Sequence, residues 1–387
     1  MLTQSGTRGS TTARDVVSEL LSRAGVSIDG NSPGDIRVHD ERLFDRLIAQ
    51  GSLGLGESYM DGWWDCEDLD VFFSKLLRSG VDAVARSRPQ TLLFLKSTLL
   101  NMQTQSRSRR VARQHYNLGN DFYADMLDPG MHYTCAYWEN AGTLEEAQNA
   151  KCDLICRKLM LEPGQSVLEL GCGWGGFAEY AATNYGCRVT AYNIAEEQVK
   201  YARERCKDLN VEIVLDDYRS ARGRYDKVVS IGMFEHVGPK NYRTVMQVAD
   251  RCLKDNGLFL AHMIGRNTTR VATDPWFDKY IFPGGVIPSI QKVSEAAEGI
   301  FIVEHFHNFG QYYDDTLMAW YANFRNNWHK HAQAFGEQFF RMWSYYLLSC
   351  AGAFRARSNH LWHWVFSRRG VLGGYRPLKW TTEDAMR

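Results

Sequence analysis

Four glycines fall within six residues in Gly171-Cys172-Gly173-Trp174-Gly175-Gly176. An apolar run from Ser166 to Leu170 precedes them, and helical periodicity from Gly176 to Asn184 follows. A strand that ends in such a loop and re-enters as a helix can press its backbone against a ligand, because glycine tolerates positive φ and carries no Cβ. The first turn of the helix also favours negative charge. The spacing satisfies G-x-G-x-x-G, so a nicotinamide dinucleotide is one candidate. That ligand calls for an acid about 20 residues further on, at the end of the second strand. Tyr192-Asn193 occupies that place.

Glu169 stands two residues before Gly171, where methyltransferases with this type of loop place an acid near the methionine end of S-adenosylmethionine. The loop therefore reads as a site for that methyl donor, with Glu169, Gly171 and Gly173 in its wall. Asn193 and Gln198 are the polar candidates for the ribose hydroxyls. Asp217-Tyr218 can hydrogen-bond and stack on adenine, although an Asp before an aromatic residue is also an ordinary turn.

The elements around the loop alternate. Strands are expected at 166–170, 188–193, 212–215, 227–231, 258–263 and 361–366, and helices at 176–184, 195–208 and 241–253. Such alternation implies a mainly parallel sheet covered by helices, with ligands at the carboxyl ends of the strands. Thr316 to Arg355 reads as helical. Upstream, helices are expected over Asp15–Ala24, Glu41–Gln50 and Asp70–Leu77, with Gly51–Trp64 as a glycine-rich segment. Residues 1–14 are rich in Ser, Thr and Gly and are expected to be disordered. The chain then divides into a small helical domain over 15–105 and a catalytic domain over 106–387. Ser106–Arg113 is a basic connector, open to reading as a solvated linker or as a contact for an anionic membrane. The Leu-rich stretch before it, Thr91–Leu100, is either helix core or added apolar contact.

Formal net charge is zero, so composition gives no sign of a nucleic-acid partner. Aromatic residues reach 13%, and this excess suggests either a Trp-rich core or an apolar ligand surface. The nine cysteines lack metal-ligand spacing. Cys152 and Cys156 lie one turn apart without two further ligands, so no metal is expected. A reducing, cytoplasmic compartment fits them. No run approaches the roughly 18 apolar residues of a spanning helix, which leaves a peripheral membrane contact as the open possibility.

Taken in order, several segments resemble the cyclopropane-fatty-acyl-phospholipid synthases. They are Leu53-Gly54-Leu55-Gly56-Glu57-Ser58-Tyr59-Met60-Asp61-Gly62-Trp63-Trp64, His115-Tyr116-Asn117-Leu118-Gly119-Asn120-Asp121, Tyr133-Thr134-Cys135-Ala136-Tyr137-Trp138, the glycine loop, Gly232-Met233-Phe234-Glu235-His236-Val237-Gly238 and Ala351-Gly352-Ala353-Phe354-Arg355. Each is weak alone. Together they cover the chain from about Asp15 to Arg369. The resemblance implies a Rossmann-like class I methyltransferase with a mainly parallel seven-stranded sheet and a small helical N-terminal domain. It implies an enzyme at the inner face of the membrane, with a homodimer as the expected assembly. It further implies methylation of the cis double bond of a phospholipid acyl chain, a carbocation, and ring closure by proton loss with bound bicarbonate as base.

By motif match, the resemblance assigns bicarbonate to Cys135, Glu235, His262, Tyr313 and the backbone of Ile264. It assigns S-adenosylmethionine to Tyr133, Thr134, Gly171, Asn193, Gln198, Asp217 and Tyr218. Gly232 keeps space beside the site, and Tyr116 closes over the cofactor. Relatives often carry Thr where this chain has Asn193. Plainer readings stand beside these. Cys135 is equally a buried small hydrophobe and His262 a core histidine. Glu235-His236 can be a helix-start pair, and Tyr312 rivals Tyr313. Methylation of a small amine and an inert lipid-binding module are the alternative functions.

Overall fold

The computed structural model describes residues 12–81, 118–270 and 272–376. Most of the 1–14 tail, the Leu-rich stretch, the basic connector and Tyr116 lie outside the described residues.

The N-terminal part is helical. Helix α1 (Ala13–Arg23) starts inside the stretch expected to be disordered, because Thr12 caps it. The Thr12 hydroxyl accepts from the Asp15 N–H, and the Asp15 carboxylate accepts from the Thr12 N–H. A two-residue ribbon of β1 (Arg37–Val38) and β2 (Trp64–Asp65) encloses α2 (Arg42–Gln50) and α3 (Ser52–Met60), and α4 (Leu69–Ser79) follows. Helix α3 occupies the segment expected only to be glycine-rich. Its glycines serve close packing: a Cβ on Gly54 would lie 2.5 Å from the Arg46 carbonyl oxygen, and one on Gly56 would strike the Trp276 ring.

The rest is the expected layered α/β unit. Its helices are α5 (Asn120–Met126), α6 (Leu144–Leu159), α7 (Gly176–Tyr185), α8 (Glu196–Arg205), α9 (Phe234–Val237), α10 (Tyr242–Cys252), α11 (Pro275–Tyr280), α12 (Ile290–Ala297) and α13 (Gln311–Arg355). Helix α13 breaks at Gly336, where φ is 72° and ψ 171°. The strands β3 (Ser166–Leu170), β4 (Arg188–Asn193), β5 (Val211–Leu215), β6 (Tyr225–Ile231), β7 (Leu253–Gly265), β8 (Ile302–Asn308) and β9 (His360–Ser367) form one sheet in the order β5-β4-β3-β6-β7-β9-β8. Only the pairings of β9 with β7 and β8 are antiparallel. The chain order reverses direction at β3, so the crevice between β3 and β6 opens where the glycine loop begins.

The aromatic excess belongs largely to the interior: Trp64, Trp276, Trp320, Trp343 and Trp362 are fully buried. Many of these rings join α13 to the N-terminal helices. Arg355 ties them further, with Nε and Nη2 on Asp314 at 2.8 and 3.0 Å and Nη1 on Asp70. Among the described residues, no helix is long and apolar enough to cross a membrane.

Candidate active site

After Ser166 the strand β3 is buried and apolar except for Glu169, and it delivers the glycine loop to the crevice. Gly171, Gly173 and Gly175 all take positive φ, 87°, 52° and 84°. The N–H groups of Gly171 and Cys172 both donate to the Tyr192 carbonyl at 3.0 Å, which fastens the loop to β4. At the end of β4, the Asn193 amide donates to the Gly173 carbonyl and to Gln198 Oε1, each at 3.0 Å. Asn193 thus spends its N–H groups on the loop and on its polar neighbour. Asp217 is buried after β5 and accepts from the backbone N–H and guanidinium of Arg219 at 2.9 and 2.8 Å, with Tyr218 beside it.

Glu169 is 2% exposed and its Oε2 has no hydrogen-bond partner among the described residues. Burial pushes its carboxyl up to about 8, against the opposing pull of His132 and Lys151. A neutral acid that regains its charge when a cation arrives suits the ammonium end of an amino acid.

A second cluster lies at the ends of β6 and β7. Glu235 sits in α9, and its Oε1 accepts from the Ile264 N–H at 2.6 Å, while Oε2 has no partner among the described residues. Burial holds this carboxyl at about 7. His262, on β7, is buried. Its Nδ1 lies 2.9 Å from His363 Nε2, and its own Nε2 has no partner among the described residues. Burial holds its conjugate acid well below the usual histidine range, so the ring is neutral. Gly232 donates its N–H to the His262 carbonyl at 2.9 Å, and a Cβ there would lie 2.6 Å from Thr134 Cγ2.

One cavity of about 830 Å³ joins the two clusters. Its wall includes Tyr133, Thr134, Glu169, Gly171, Gly173, Asn193, Gln198, Asp217, Tyr218, Glu235, His262, Ile264 and Tyr313. It runs on between Tyr345, Tyr346 and Phe354 to Val16, Leu20, Ile48, Phe73 and Leu76 of the N-terminal helices. Tyr313 lines it, whereas Tyr312 packs edge-on against Tyr137 at 5.3 Å. Cys135 is fully buried but is not in the wall; its thiol donates to the Ala136 carbonyl at 3.2 Å. Tyr116 lies outside the described residues.

Three neighbours escaped the sequence reading. His132 faces the cavity and pairs with Asp128 at 2.8 Å; their four-residue spacing was the available signal. Lys151 is fully buried and donates to the Thr134 hydroxyl at 3.1 Å. His363 backs His262 from β9, and only strand pairing could reveal it.

A family model described as mycolic acid cyclopropane synthetase matches residues 103–364. The chain belongs to that family. It is 52% identical over 365 residues to the cyclopropane-fatty-acyl-phospholipid synthase of Escherichia coli (strain K12), covering 94% of this chain and 95% of that one. Among solved structures it is similar to the cyclopropane synthase MmaA2 from Mycobacterium tuberculosis, with TM-score 0.63, 28% identity, and 67% of this chain and 97% of that one covered. It is similar too to the mycolic acid cyclopropane synthase CmaA1 complexed with SAH and CTAB, with TM-score 0.62, 29% identity and the same coverage. The fold is that of the class I methyltransferases, and this family member is an S-adenosylmethionine-dependent methyltransferase.

Proposed function

We propose that this methyltransferase adds a methylene from S-adenosylmethionine across the cis double bond of unsaturated phospholipid acyl chains, with bicarbonate as base. The observation that carries the reading is the continuity of the cavity from the glycine loop to the apolar walls of α1, α2 and α4. Near-full-length similarity to a phospholipid cyclopropane synthase supports the same substrate. In this reading residues 15–105 are the lipid-associated domain and 106–387 the catalytic one. The enzyme works peripherally at the inner face of the membrane, as a homodimer.

An alkene is a weak nucleophile, so the protein must position it and stabilise the cation that methyl transfer creates. The Tyr133, Tyr313 and Phe354 rings supply π faces for that cation in a water-poor pocket. Glu169 receives the methionine ammonium, while Asn193, Gln198, Asp217 and Tyr218 hold the nucleoside.

The second cluster fits an oxyanion in part. Glu235 Oε2 and His262 Nε2 are buried and unpaired, and a protonated Glu235 can donate to an anion. Tyr313 adds a hydroxyl in the same wall. The Ile264 N–H serves Glu235, and the Cys135 thiol serves Ala136, so these two act behind the front groups. Bicarbonate bound by Glu235, His262 and Tyr313 supplies the base for the closing proton loss.

The test is incubation with S-adenosylmethionine and vesicles of cis-unsaturated phospholipid, followed by mass and proton-NMR analysis of the acyl chains. The reading expects one CH2 gained per modified double bond, with cyclopropane ring protons. Acyl chains that gain nothing, or gain a methyl branch instead, would sink it.

A further inference from the structure

Three histidines stand in register across the far half of the sheet. His262 on β7 pairs with His363 on β9, and His363 pairs with His307 on β8. Paired residues on neighbouring strands share a sheet face. His363 Nε2 is 2.9 Å from His262 Nδ1. Its other nitrogen, Nδ1, lies 3.1 Å from Nζ of Lys158, and the same Nζ lies 2.8 Å from His307 Nδ1. Lys158 enters from α6 and is 4% exposed. Among the described residues no carboxylate stands within ion-pair distance of it, and the ring of Phe309 lies 5.8 Å away.

A buried lysine without an acid is costly, and packing alone would favour an apolar side chain here. What the lysine does to the histidines follows from donor counts. An ammonium has only donors, so His363 Nδ1 must accept. The His363 proton then sits on Nε2 and is donated to His262 Nδ1. The His262 proton is thereby forced onto Nε2, which has no partner among the described residues and belongs to a side chain in the cavity wall.

We propose that Lys158 is a positioning residue that, acting through His363, fixes His262 as an N–H donor toward the anion in the cavity. The proposal rests on the bicarbonate reading for its ligand, but its tautomer chain belongs to the protein alone. The polarity is also reversible. When Lys158 loses its proton, its amine can accept from His363 Nδ1, His363 Nε2 can accept from His262 Nδ1, and His262 Nε2 becomes a bare lone pair that repels an anion. The lysine proton passes to His363 Nδ1, His363 passes its Nε2 proton to His262 Nδ1, and His262 releases its own Nε2 proton to solvent, so one proton is lost in all and nothing is oxidised or reduced.

The charges around Lys158 favour a switch near neutrality. Burial pulls its ammonium down to about 7. Burial also keeps His307 near 4 and His262 and His363 well below the usual range, so the rings stay neutral. Other titratable groups nearby are His305 on β8, Lys151 on α6, Tyr375, whose hydroxyl donates to the Lys158 carbonyl at 2.7 Å, and Glu304 on β8, which acts on Tyr375 and accepts from the Ser367 hydroxyl and the Val371 N–H. Burial is the cause of the lysine's shift, and no carboxylate offsets it.

Long-range proton–nitrogen NMR on the full-length, 15N-histidine-labelled protein tests this without substrate. At about pH 6 the expected result is His262 protonated at Nε2, shifting toward Nδ1 by about pH 9. Lys158→Met is expected to lose the Nε2 preference at both values. Bicarbonate affinity, titrated with 13C-bicarbonate, is expected to fall about tenfold in that variant while SAH affinity stays within about twofold. A wild-type His262 that keeps one tautomer from about pH 6 to 9 overturns the proposal, even if the variant does not fold. So does a folded Lys158→Met protein with the wild-type tautomer. Wild-type protein that binds no bicarbonate yet shows the expected tautomer shift would remove the base assignment and leave the lysine's control of His262 standing.

Discussion

Replacing Glu235 with glutamine separates stability from catalysis at one buried side chain. The residue is 9% exposed, and burial raises its carboxyl to about 7, with the backbone N–H groups of Ile264 and of Glu235 itself opposing. Because the folded value lies above the ordinary 4.5, the proton on Glu235 stabilises the native state. That contribution is complete below about pH 4.5 and is lost as pH rises through about 7. The gap between about 7 and 4.5, at about 1.36 kcal/mol per pH unit, comes to roughly 3 kcal/mol. Glutamine keeps an oxygen for the Ile264 N–H and cannot ionise. The variant should therefore match the wild type near pH 4 and exceed it by up to about 3 kcal/mol near pH 8. Urea unfolding of the ligand-free protein at both values, read by midpoint and slope, measures this. Turnover moves the other way, falling about 100-fold or more with cofactor affinity within about threefold. A stability difference independent of pH would show that the carboxyl is not desolvated as described. Loss of cofactor affinity would move Glu235 to the methyl-donor half of the cavity.

Other substitutions probe the same wall. Gly232→Ala adds a Cβ at φ 66°, 2.6 Å from Thr134 Cγ2. About 1–3 kcal/mol of stability and about tenfold in S-adenosylmethionine affinity should be lost, read by thermal unfolding and calorimetry; an unchanged variant would mean that Thr134 does not border the cofactor. Tyr313→Phe should lower kcat about 10- to 100-fold and Tyr312→Phe less than about twofold, and the reverse order would reassign the site tyrosine. In buffer stripped of carbon dioxide, turnover should drop about tenfold or more and return on adding bicarbonate, with SAH affinity constant; undiminished turnover would exclude that base.

The glycine loop was legible because its chemistry is local. Strand, positive-φ glycines and helix are contiguous, and Ser166–Leu170 and Arg188–Asn193 occur as strands with the bounds expected. Strand β8 was not legible. It is an edge strand, largely exposed, with a bulge between Val303 and His305, and it carries Glu304, His305 and His307 among its apolar residues. Neither alternation nor a continuous apolar run marks it. Helix α3 was hidden for the opposite reason: Gly54 and Gly56 look like turn formers but are there to let Arg46 and Trp276 come close.

By itself, then, the sequence determined the alternating α/β order, the methyl-donor loop and the family, since these rest on contiguous patterns and on motif order. Tertiary structure decided what depends on direction and pairing. The face of α13 chose Tyr313 over Tyr312 for the cavity. Packing left Cys135 behind the wall that its motif was expected to line. The register of β7, β9 and β8 aligned His262, His363 and His307, which are separated by up to 101 residues in the chain, and set Lys158 against them. Side-chain chemistry is written residue by residue. Which side chains meet is set by packing between elements distant in the chain, and no local pattern records it.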